Sequence, residues 1–404
     1  MSGRELDLVL LGATGFVGRL TAAHLARSAP AGTRVALAGR SSGRLQALRD
    51  DLGEAAASWE LRTTDVTDER ALDRLAEQTT VLATTVGPYA RWGLPVVRAC
   101  VDRGTHYADL TGETLFVRDS VAAAHEAAQA SGARVVHSCG FDSVPSDLGV
   151  RLVADAAAVD GEGTPGVTRL HVVSMRGGFS GGTIDSGRQQ QIATAGRPDL
   201  RRVVADPEAL VGANPSGRVR RGHPTLHRDA GRGVWTGPFV MGGYNRQVVL
   251  RTDALRGWAY GPDFDYREMV DTRPGPVGLV AAAALAGGTA ALMGGLSFAP
   301  TRGVLDRVLP SPGEGPSDRV RAGERFRVEV ETTTTTGARY VATVAAPYDP
   351  GYDGTAVMLG EAALALALDD LPEAAGVLTP MTGVGPQLAE RLRAHRFEVG
   401  VRRA

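Results

Sequence analysis

Near its N-terminus the chain has four apolar residues, Leu8 to Leu11, followed at once by a glycine-rich turn and then by residues at helical spacing. Gly12 permits a tight turn, Gly15 allows backbone amides to approach a pyrophosphate, and Gly18 lets the next helix pack closely on the strand. A strand, a phosphate-binding turn and a helix in this order predict a dinucleotide site, with an ordinary β–α turn as the alternative. The predicted contacts come from Gly12, Thr14, Gly15, Phe16, Val17 and Gly18.

The end of the second predicted strand indicates which dinucleotide is bound. It lies about twenty residues after the glycines, where an NAD site has an acidic residue for the ribose 2′-hydroxyl. Arg40 and Ser41 stand there instead. Arginine can hold a 2′-phosphate through two hydrogen bonds, and serine can add another. We therefore predict that the cofactor is NADP(H), the alternative being that Arg40 merely opens the next helix in solvent.

The first third of the chain alternates short apolar strands with helical patterns. This rhythm predicts a doubly wound parallel sheet of the Rossmann type, in which ligands lie beyond the carboxyl ends of the strands. Asp65 follows the third predicted strand, where it either accepts a hydrogen bond from the adenine amino group or, like Thr67, caps the next helix. Residues directly after the fourth and sixth strands are predicted to reach the rest of the cofactor: Gly87, Pro88, Tyr89, Cys139, Gly140 and Phe141.

Several of the same loops carry groups that could donate a proton. Tyr89 offers a hydroxyl near the expected position of hydride transfer and is the first candidate, followed by Asp142 and Ser143. Asp109 and Tyr107 come after them. Each also has a structural interpretation, since Tyr89 could stack beside the nicotinamide, Ser143 could cap the following helix and Asp109 could cap a turn.

The charged residues exclude several kinds of chemistry. All 44 basic residues are arginine, so no lysine can form a Schiff base or the Tyr-x-x-x-Lys pair of short-chain dehydrogenases. The net charge of −1 gives no reason to expect a nucleic-acid partner. Cys100 and Cys139 lack metal-ligand spacing, so we expect no metal and a reduced, cytoplasmic protein.

The second half of the chain follows a different pattern. Beyond about Thr164, alternating segments such as 325–330 and 339–345 predict antiparallel strands and a second, α+β domain. Residues 277–299 carry no charge and are rich in alanine and glycine. We expect them to form a helical hairpin, broken at Gly287-Gly288 and Gly294-Gly295, that lines an apolar substrate channel. The alternatives are a core helix and a membrane-spanning helix.

Four motifs resemble those of the saccharopine dehydrogenase-like oxidoreductases, and more narrowly those of the actinobacterial trans-acting enoyl reductases. The likeness extends to three short C-terminal motifs. In order along the chain, the motifs are the glycine turn with Gly39-Arg40, Gly87–Gly93, Cys100–Glu113, Gly140–Asp147, Leu309–Pro316, Asp349–Ala356 and Leu378–Pro380.

This resemblance implies an NADP-binding Rossmann domain over residues 1–150, a substrate and dimerisation domain over 151–350, and helices in 351–404 that pack back onto the first domain. It implies an NADPH-dependent reductase of a C=C bond in an acyl or polyketide-type intermediate, which a carrier protein could hold. The alternatives are a C=N or amine oxidoreductase and a non-catalytic, lipid-associated NADP-binding scaffold. We further expect a homodimer and peripheral membrane contact through 277–299.

Overall fold

A computed structural model describes residues 3–177, 181–212, 225–297, 301, 315–321 and 323–404. Two β-sheets organise this part of the chain. Most of the predicted motif Leu309–Pro316, and the last two residues of the uncharged stretch 277–299, lie outside the described residues. The fold class expected from the sequence is confirmed.

The first sheet is parallel throughout its described strands. In the inner strand Leu6–Leu11 nearly all residues are buried because helices cover both faces of the sheet, which explains the apolar run from Leu8 to Leu11. The strands are β1 (Leu6–Leu11), β2 (Val35–Gly39), β3 (Glu60–Thr63), β4 (Thr79–Thr84), β5 (His106–Ala108), β6 (Arg134–Val136) and β13 (Gly376–Leu378).

The strand order in this sheet is β13-β6-β5-β4-β1-β2-β3. The chain moves outward from β1 to β2 and β3 on one side, and then crosses to β4 on the other side. A crevice therefore opens at the carboxyl ends of β1 and β4, where doubly wound sheets bind ligands. Helices connect these strands: α1 (Phe16–Ser28), α2 (Ser42–Leu52), α3 (Glu69–Gln78), α4 (Tyr89–Asp102), α5 (Thr114–Ser131) and α6 (Val144–Val159).

The second sheet is mixed and has the order β14-β12-β11-β7-β10-β9-β8. The antiparallel strands predicted in 325–330 and 339–345 are confirmed as β11 and β12, which pair with each other. The strands are β7 (Pro165–Arg176), β8 (His227–Asp229), β9 (Val234–Pro238), β10 (Asp265–Asp271), β11 (Arg325–Thr334), β12 (Arg339–Ala346) and β14 (Glu398–Arg403). The accompanying helices are α7 (Gly181–Thr194), α8 (Pro198–Ala205), α9 (Gly242–Leu255), α10 (Gly275–Ser297) and α11 (Asp318–Arg321).

The C-terminal residues contribute to both sheets, through β13 and β14, and add α12 (Thr355–Leu368), α13 (Pro380–Gly383) and α14 (Pro386–Ala394). The first of these helices is buried over nearly its whole length and packs on α1, β1, β4 and α14. Its buried Glu361 carboxylate lies 2.6 Å from His24 Nε2, 2.9 Å from His395 Nε2 and 3.0 Å from Arg391 Nη1. These contacts join α12 to helices on two sides.

The expected hairpin in 277–299 is wrong, because α10 runs as one continuous helix through Gly287-Gly288 and Gly294-Gly295. Glycine lowers helix stability by about 1 kcal/mol per residue but does not forbid a helix, and here α10 packs against β9 and α7. Gly275–Leu296 has a mean hydropathy of 1.8 in a window that is only 12% buried, so by length and composition it could span a bilayer. The described residues of this helix are largely exposed.

Candidate functional site

A cavity of about 910 Å³ lies at the carboxyl ends of the first sheet. The turns after β1 to β6 form one side of it, and residues from α7, α9 and α10 form the other. The cavity therefore lies between the parallel sheet and the second half of the chain. It brings together most of the residues that the sequence predicts for a cofactor site.

The glycine turn supplies the phosphate-binding geometry. Gly12 has a φ of +86°, which only glycine adopts readily, and Gly15 is the N-cap of α1 with no side chain bonded to the helix amides. The first-turn amides are therefore available to an anion at the positive end of the helix. Gly12, Thr14, Gly15, Phe16, Val17 and Gly18 all line the cavity, as predicted contacts should.

Gly18 makes the close helix–strand packing possible. A Cβ atom at this position would lie 2.2 Å from the Gly12 carbonyl oxygen and 3.0 Å from backbone atoms of Ala13. The cavity side of the turn is open by comparison, since a Cβ at Gly15 would meet only the Gly12 oxygen, at 3.3 Å. The turn is thus closely packed on its helix side and open on its cavity side, and its contact with a pyrophosphate stays a prediction.

Two arginines lie where the sequence analysis expected one. Arg40, which precedes the N-cap of α2, lines the cavity, and so does Arg44, in the first turn of α2. Sequence reasoning missed Arg44. Asp65 lies on the same wall, and its carboxylate accepts hydrogen bonds from the Thr67 amide and hydroxyl at 2.9 and 2.8 Å.

These bonds to Thr67, and to a smaller extent the Arg40 charge, hold the pKa of Asp65 below its ordinary value. Asp65 does not cap α3, since Asp68 occupies the N-cap and accepts from the Ala71 amide. An ionised carboxylate beside Arg40 can accept a hydrogen bond from an adenine amino group. The adenine contact of Asp65 stays a prediction.

Three predicted cofactor residues are placed away from the cavity wall. Ser41 is the N-cap of α2, and its hydroxyl accepts from the Arg44 amide at 3.4 Å. Cys139 is fully buried, and its thiol donates to the Val136 carbonyl oxygen. The Phe141 ring packs edge-on against Phe326, with ring centroids 4.7 Å apart. Cofactor contacts by these residues stay predictions.

Gly87, Pro88 and Tyr89 line the cavity where α4 begins. The Tyr89 hydroxyl donates to the Thr84 carbonyl oxygen and accepts from the Leu110 amide, both at 3.2 Å. Burial raises the pKa of Tyr89 well above its ordinary value, with Asp109 the next largest cause. The phenol therefore stays protonated and ties its loop to two neighbouring strands.

The segment after β5 acts as a support for this loop. The Glu113 carboxylate accepts from the amides of Tyr89 and Ala90 at 2.9 and 2.7 Å and from the Ser186 hydroxyl at 2.8 Å. Asp109 is fully buried and accepts from Tyr107 Oη at 2.9 Å. Asp109 and Tyr107 thus lie beneath the cavity wall, in supporting positions.

Asp142 and Ser143 both line the cavity, as a proton donor requires. Ser143 stands at the N-cap of α6, but its hydroxyl makes no capping bond. It donates instead to Asn245 Oδ1 at 2.9 Å. Donor roles for Asp142 and Ser143 stay predictions.

Sequence reasoning missed a pair of hydroxyl groups in the cavity. Tyr244, in the first turn of α9, and Ser138, directly after β6, both line it, and Tyr244 Oη lies 2.6 Å from Ser138 Oγ. The two residues are 106 positions apart, so no local pattern could pair them. The contact bridges the two halves of the chain across the cavity.

Apolar side chains form another part of the wall. They come from α4, α8, the segment before α9, and the C-terminal end of α10. The position of α10 agrees with the expectation that the uncharged stretch lines an apolar site. These residues are Trp92, Val204, Val240, Met241, Leu292 and Leu296.

A pair of carboxyl groups, on buried Asp349 and half-buried Glu324, lies next to the turn that carries Tyr352 to the cavity. Asp349 Oδ1 accepts from the Tyr352 amide at 2.6 Å, and the Glu324 carboxyl group lies close enough to act on the same Asp349 carboxyl group. Burial first, and then the Glu324 carboxyl, raise the pKa of Asp349 to about 8. Asp349 therefore keeps its proton at neutral pH.

This pair predicts a loss of stability as pH rises. Asp349 keeps its proton to about pH 8 in the folded chain but loses it near its ordinary value of 3.8 when unfolded, so the free energy of unfolding falls between these limits. Glu324→Gln places an amide donor beside Asp349, and we expect a flatter dependence of Tm on pH from about 5 to 8. Glu390→Gln, on the exposed face of α14, is the control. Equal slopes for wild type and Glu324→Gln would contradict a contribution of Glu324 to the raised pKa of Asp349.

Comparison of the sequence with known proteins shows the family of this chain. The saccharopine dehydrogenase NADP binding domain family matches residues 8–136. A Mycobacterium tuberculosis protein provisionally named a trans-acting enoyl reductase is 46% identical over 406 residues, covering 97% of this chain and 96% of that protein. The trans-acting enoyl reductase of Mycobacterium ulcerans is 44% identical over 408 residues, covering 96% of each.

A solved structure shows the same fold. Apo saccharopine dehydrogenase (L-Glu forming) from Saccharomyces cerevisiae aligns with 98% of this chain and 99% of its own, with a TM-score of 0.51 and 15% identity. At this identity the likeness concerns architecture alone.

Proposed function

This chain belongs to the trans-acting enoyl reductases within the saccharopine dehydrogenase-like oxidoreductases, and we propose that its cavity reduces an acyl or polyketide-type enoyl group with NADPH. One observation carries the proposal. A single cavity joins a phosphate-binding turn and two arginines to an apolar wall. The first two features suit NADPH, and the third suits the hydrocarbon part of an acyl substrate.

The residues after β1 and β2 fit NADP(H). The uncapped amides of α1 would hold the pyrophosphate, while Arg40 and Arg44 would hold the 2′-phosphate. Gly87, Pro88 and Gly140 would contact the nicotinamide half, since they follow β4 and β6 beside the crevice. When bound, NADPH supplies the hydride that the double bond accepts.

The Tyr89 loop would position that half of the cofactor. Tyr89→Phe removes a hydroxyl that ties β4 to the Leu110 amide, and we expect turnover to fall strongly while NADPH affinity stays within a few-fold of wild type. Steady-state kinetics and a fluorescence titration with NADPH measure the two effects. Unchanged turnover would remove the Tyr89 hydroxyl from the mechanism. We keep Asp142 and Ser143 as further candidates on the same wall.

The exposed face of α10 supports a proposal about substrate delivery. Val277 and Val280 are 62% and 69% exposed, while Leu292 and Leu296 of the same helix line the cavity. An apolar helix that runs from the surface to the site suits peripheral contact with a lipid surface from which acyl chains enter. The carrier protein, the homodimer and the cytoplasmic location remain predictions.

Native mass spectrometry of freshly purified protein, with denatured samples in parallel, tests the proposal. We expect copurified NADP(H), together with an acyl or polyketide-like molecule that names the substrate class. NADPH binding without turnover of any enoyl or imine substrate would favour the scaffold alternative. Failure to bind either NADPH or NADH on titration would contradict the oxidoreductase function.

A further inference from the structure

Tyr244 and Ser138 form a pair of hydrogen-bonded hydroxyl groups on the cavity wall, and the proposed NADPH site does not use either of them. Tyr244 is 8% exposed and Ser138 is 3% exposed, yet both line the cavity, with their oxygens 2.6 Å apart. Either oxygen can be the donor in this bond. When Ser138 donates, the phenol proton of Tyr244 is directed to another acceptor, and the cavity adjoins it.

Tyr89, the tyrosine expected from the sequence, differs in this respect. Its single hydroxyl proton goes to the Thr84 carbonyl oxygen, and its lone pair accepts from the Leu110 amide. Both partners are backbone groups with fixed positions. The Tyr89 proton is therefore held in a hydrogen bond to the backbone. The Tyr244 hydroxyl pairs instead with the Ser138 hydroxyl, and either of these two groups can be the donor.

The backbone holds Ser138 in place. Ser138 has a φ of +65°, which is uncommon for a residue with a side chain, and its amide donates to Asp109 Oδ1 at 2.9 Å. Asp109 is in turn fixed by Tyr107 and by His137 Nδ1 at 2.8 Å. The buried Asp109 network thus fixes a strained serine next to the Tyr244 hydroxyl.

We propose that Tyr244 is the proton donor to the α-carbon of the enoyl substrate and that Ser138 relays a replacement proton to it. The proposal rests on the proposed function. As the β-carbon gains a hydride, the electron pair of the double bond moves to the α-carbon and the thioester carbonyl, giving an enolate. The α-carbon then takes the Tyr244 proton, Tyr244 takes the Ser138 proton, and cavity water restores Ser138.

The electrostatics agree with this role. Burial is the largest cause that raises the pKa of Tyr244 above its ordinary value, and the hydrogen bond from Ser138 opposes it. The phenol is therefore neutral at physiological pH and carries the proton that an enolate needs. An enolate carbon is a much stronger base than a phenolate, so transfer remains favourable.

Tyr244→Phe tests the role with an α-methyl enoyl thioester, whose product acquires a stereocentre at the protonated carbon. We expect kcat to fall at least about 100-fold, with NADPH affinity within about threefold of wild type and product of lower enantiomeric purity. Tyr340→Phe is the matched control, because Tyr340, in β12 of the second sheet, is buried and lies outside the cavity lining, with its hydroxyl 2.6 Å from the Asp160 carboxylate. It should behave as wild type.

Equilibrium binding gives a readout that does not depend on turnover. An acidic phenol, bound in the presence of NADP⁺, is a planar anion whose charge extends onto its ring carbons, as the charge of the enolate extends onto its α-carbon. Tyr244→Phe removes the donor that would face that carbon and should weaken phenol binding at least about tenfold. Ser138→Ala, which keeps the phenol, should lower kcat less than Tyr244→Phe and alter its pH profile. If Tyr244→Phe does not fold, the kcat and the pH profile of Ser138→Ala test the assignment of the donor and its relay.

The outcomes separate the two proposals. Wild-type protein that binds NADPH but reduces no enoyl substrate contradicts the proposed function. Active wild type together with full activity, unchanged stereochemistry and unchanged phenol binding in Tyr244→Phe overturns the donor assignment alone. If only Ser138→Ala can be measured, wild-type kcat and an unchanged pH profile in that variant also overturn it.

Discussion

Gly18→Ala is expected to abolish measurable NADPH binding and to lower Tm. The new Cβ would lie 2.2 Å from the Gly12 carbonyl oxygen and 3.0 Å from Ala13 backbone atoms, so no side-chain rotation relieves the overlap. Either α1 or the phosphate turn must shift, and overpacking of this kind costs about 1–3 kcal/mol of unfolding free energy. A shift of the turn also moves the amides that would hold the pyrophosphate. Thermal unfolding and a fluorescence titration with NADPH measure the two effects.

Gly43→Ala is the matched control for this substitution. Gly43 lies in the first turn of α2, close to the same cofactor region, but nothing approaches within 4 Å of its added Cβ. Alanine should stabilise this helix by roughly 0.5–1 kcal/mol and leave NADPH binding unchanged. Wild-type affinity for NADPH in Gly18→Ala would contradict the assignment of the turn.

Joint replacement of Arg40 and Arg44 by alanine is expected to weaken NADPH binding by about 100-fold. The two guanidinium groups lie on the cavity wall after β2, and each would form charge-assisted hydrogen bonds with a 2′-phosphate. Such bonds are worth about 1.5–3 kcal/mol each, an estimate that solvent exposure brings toward its lower end. The single variants should show smaller losses.

NADH provides the internal control, because it lacks the 2′-phosphate. Its affinity for the double variant should stay close to that for wild type, so the preference for NADPH disappears without loss of the fold. An NADPH affinity unchanged in the double variant would assign the 2′-phosphate to other residues. Equal losses of NADPH and NADH would instead indicate damage to the adenosine site.

The sequence predicts this site best where a local pattern fixes the chemistry. The run from Leu8 to Gly18 contains a buried strand, a turn and a helix start, and each part needs only its neighbours in the chain to form. Arg40 is equally local, since it directly follows the second strand. The apolar α12 has a single charge in fourteen residues, and its burial is what such a composition favours.

Other features depend on contacts between distant residues. Tyr244 meets Ser138 only because α9 packs over the carboxyl end of the sheet, and no spacing in the sequence encodes that contact. The strand β13 has three residues and joins the first sheet from the far end of the chain. The two glycine pairs of α10 suggested a break in the helix, because glycine has a low helix propensity. Packing of α10 on β9 stabilises the continuous helix in spite of them.

A single-turnover reaction with NADPH deuterated at the transferring position of C4 tests the central claim most directly. The protein is mixed with labelled NADPH and a short α-methyl enoyl thioester, and the product is analysed by mass spectrometry and NMR. We predict one deuterium at the β-carbon of a saturated product, formed in step with NADPH oxidation. Bound NADPH that keeps its label in the presence of the enoyl thioester would contradict enoyl reduction by this cavity.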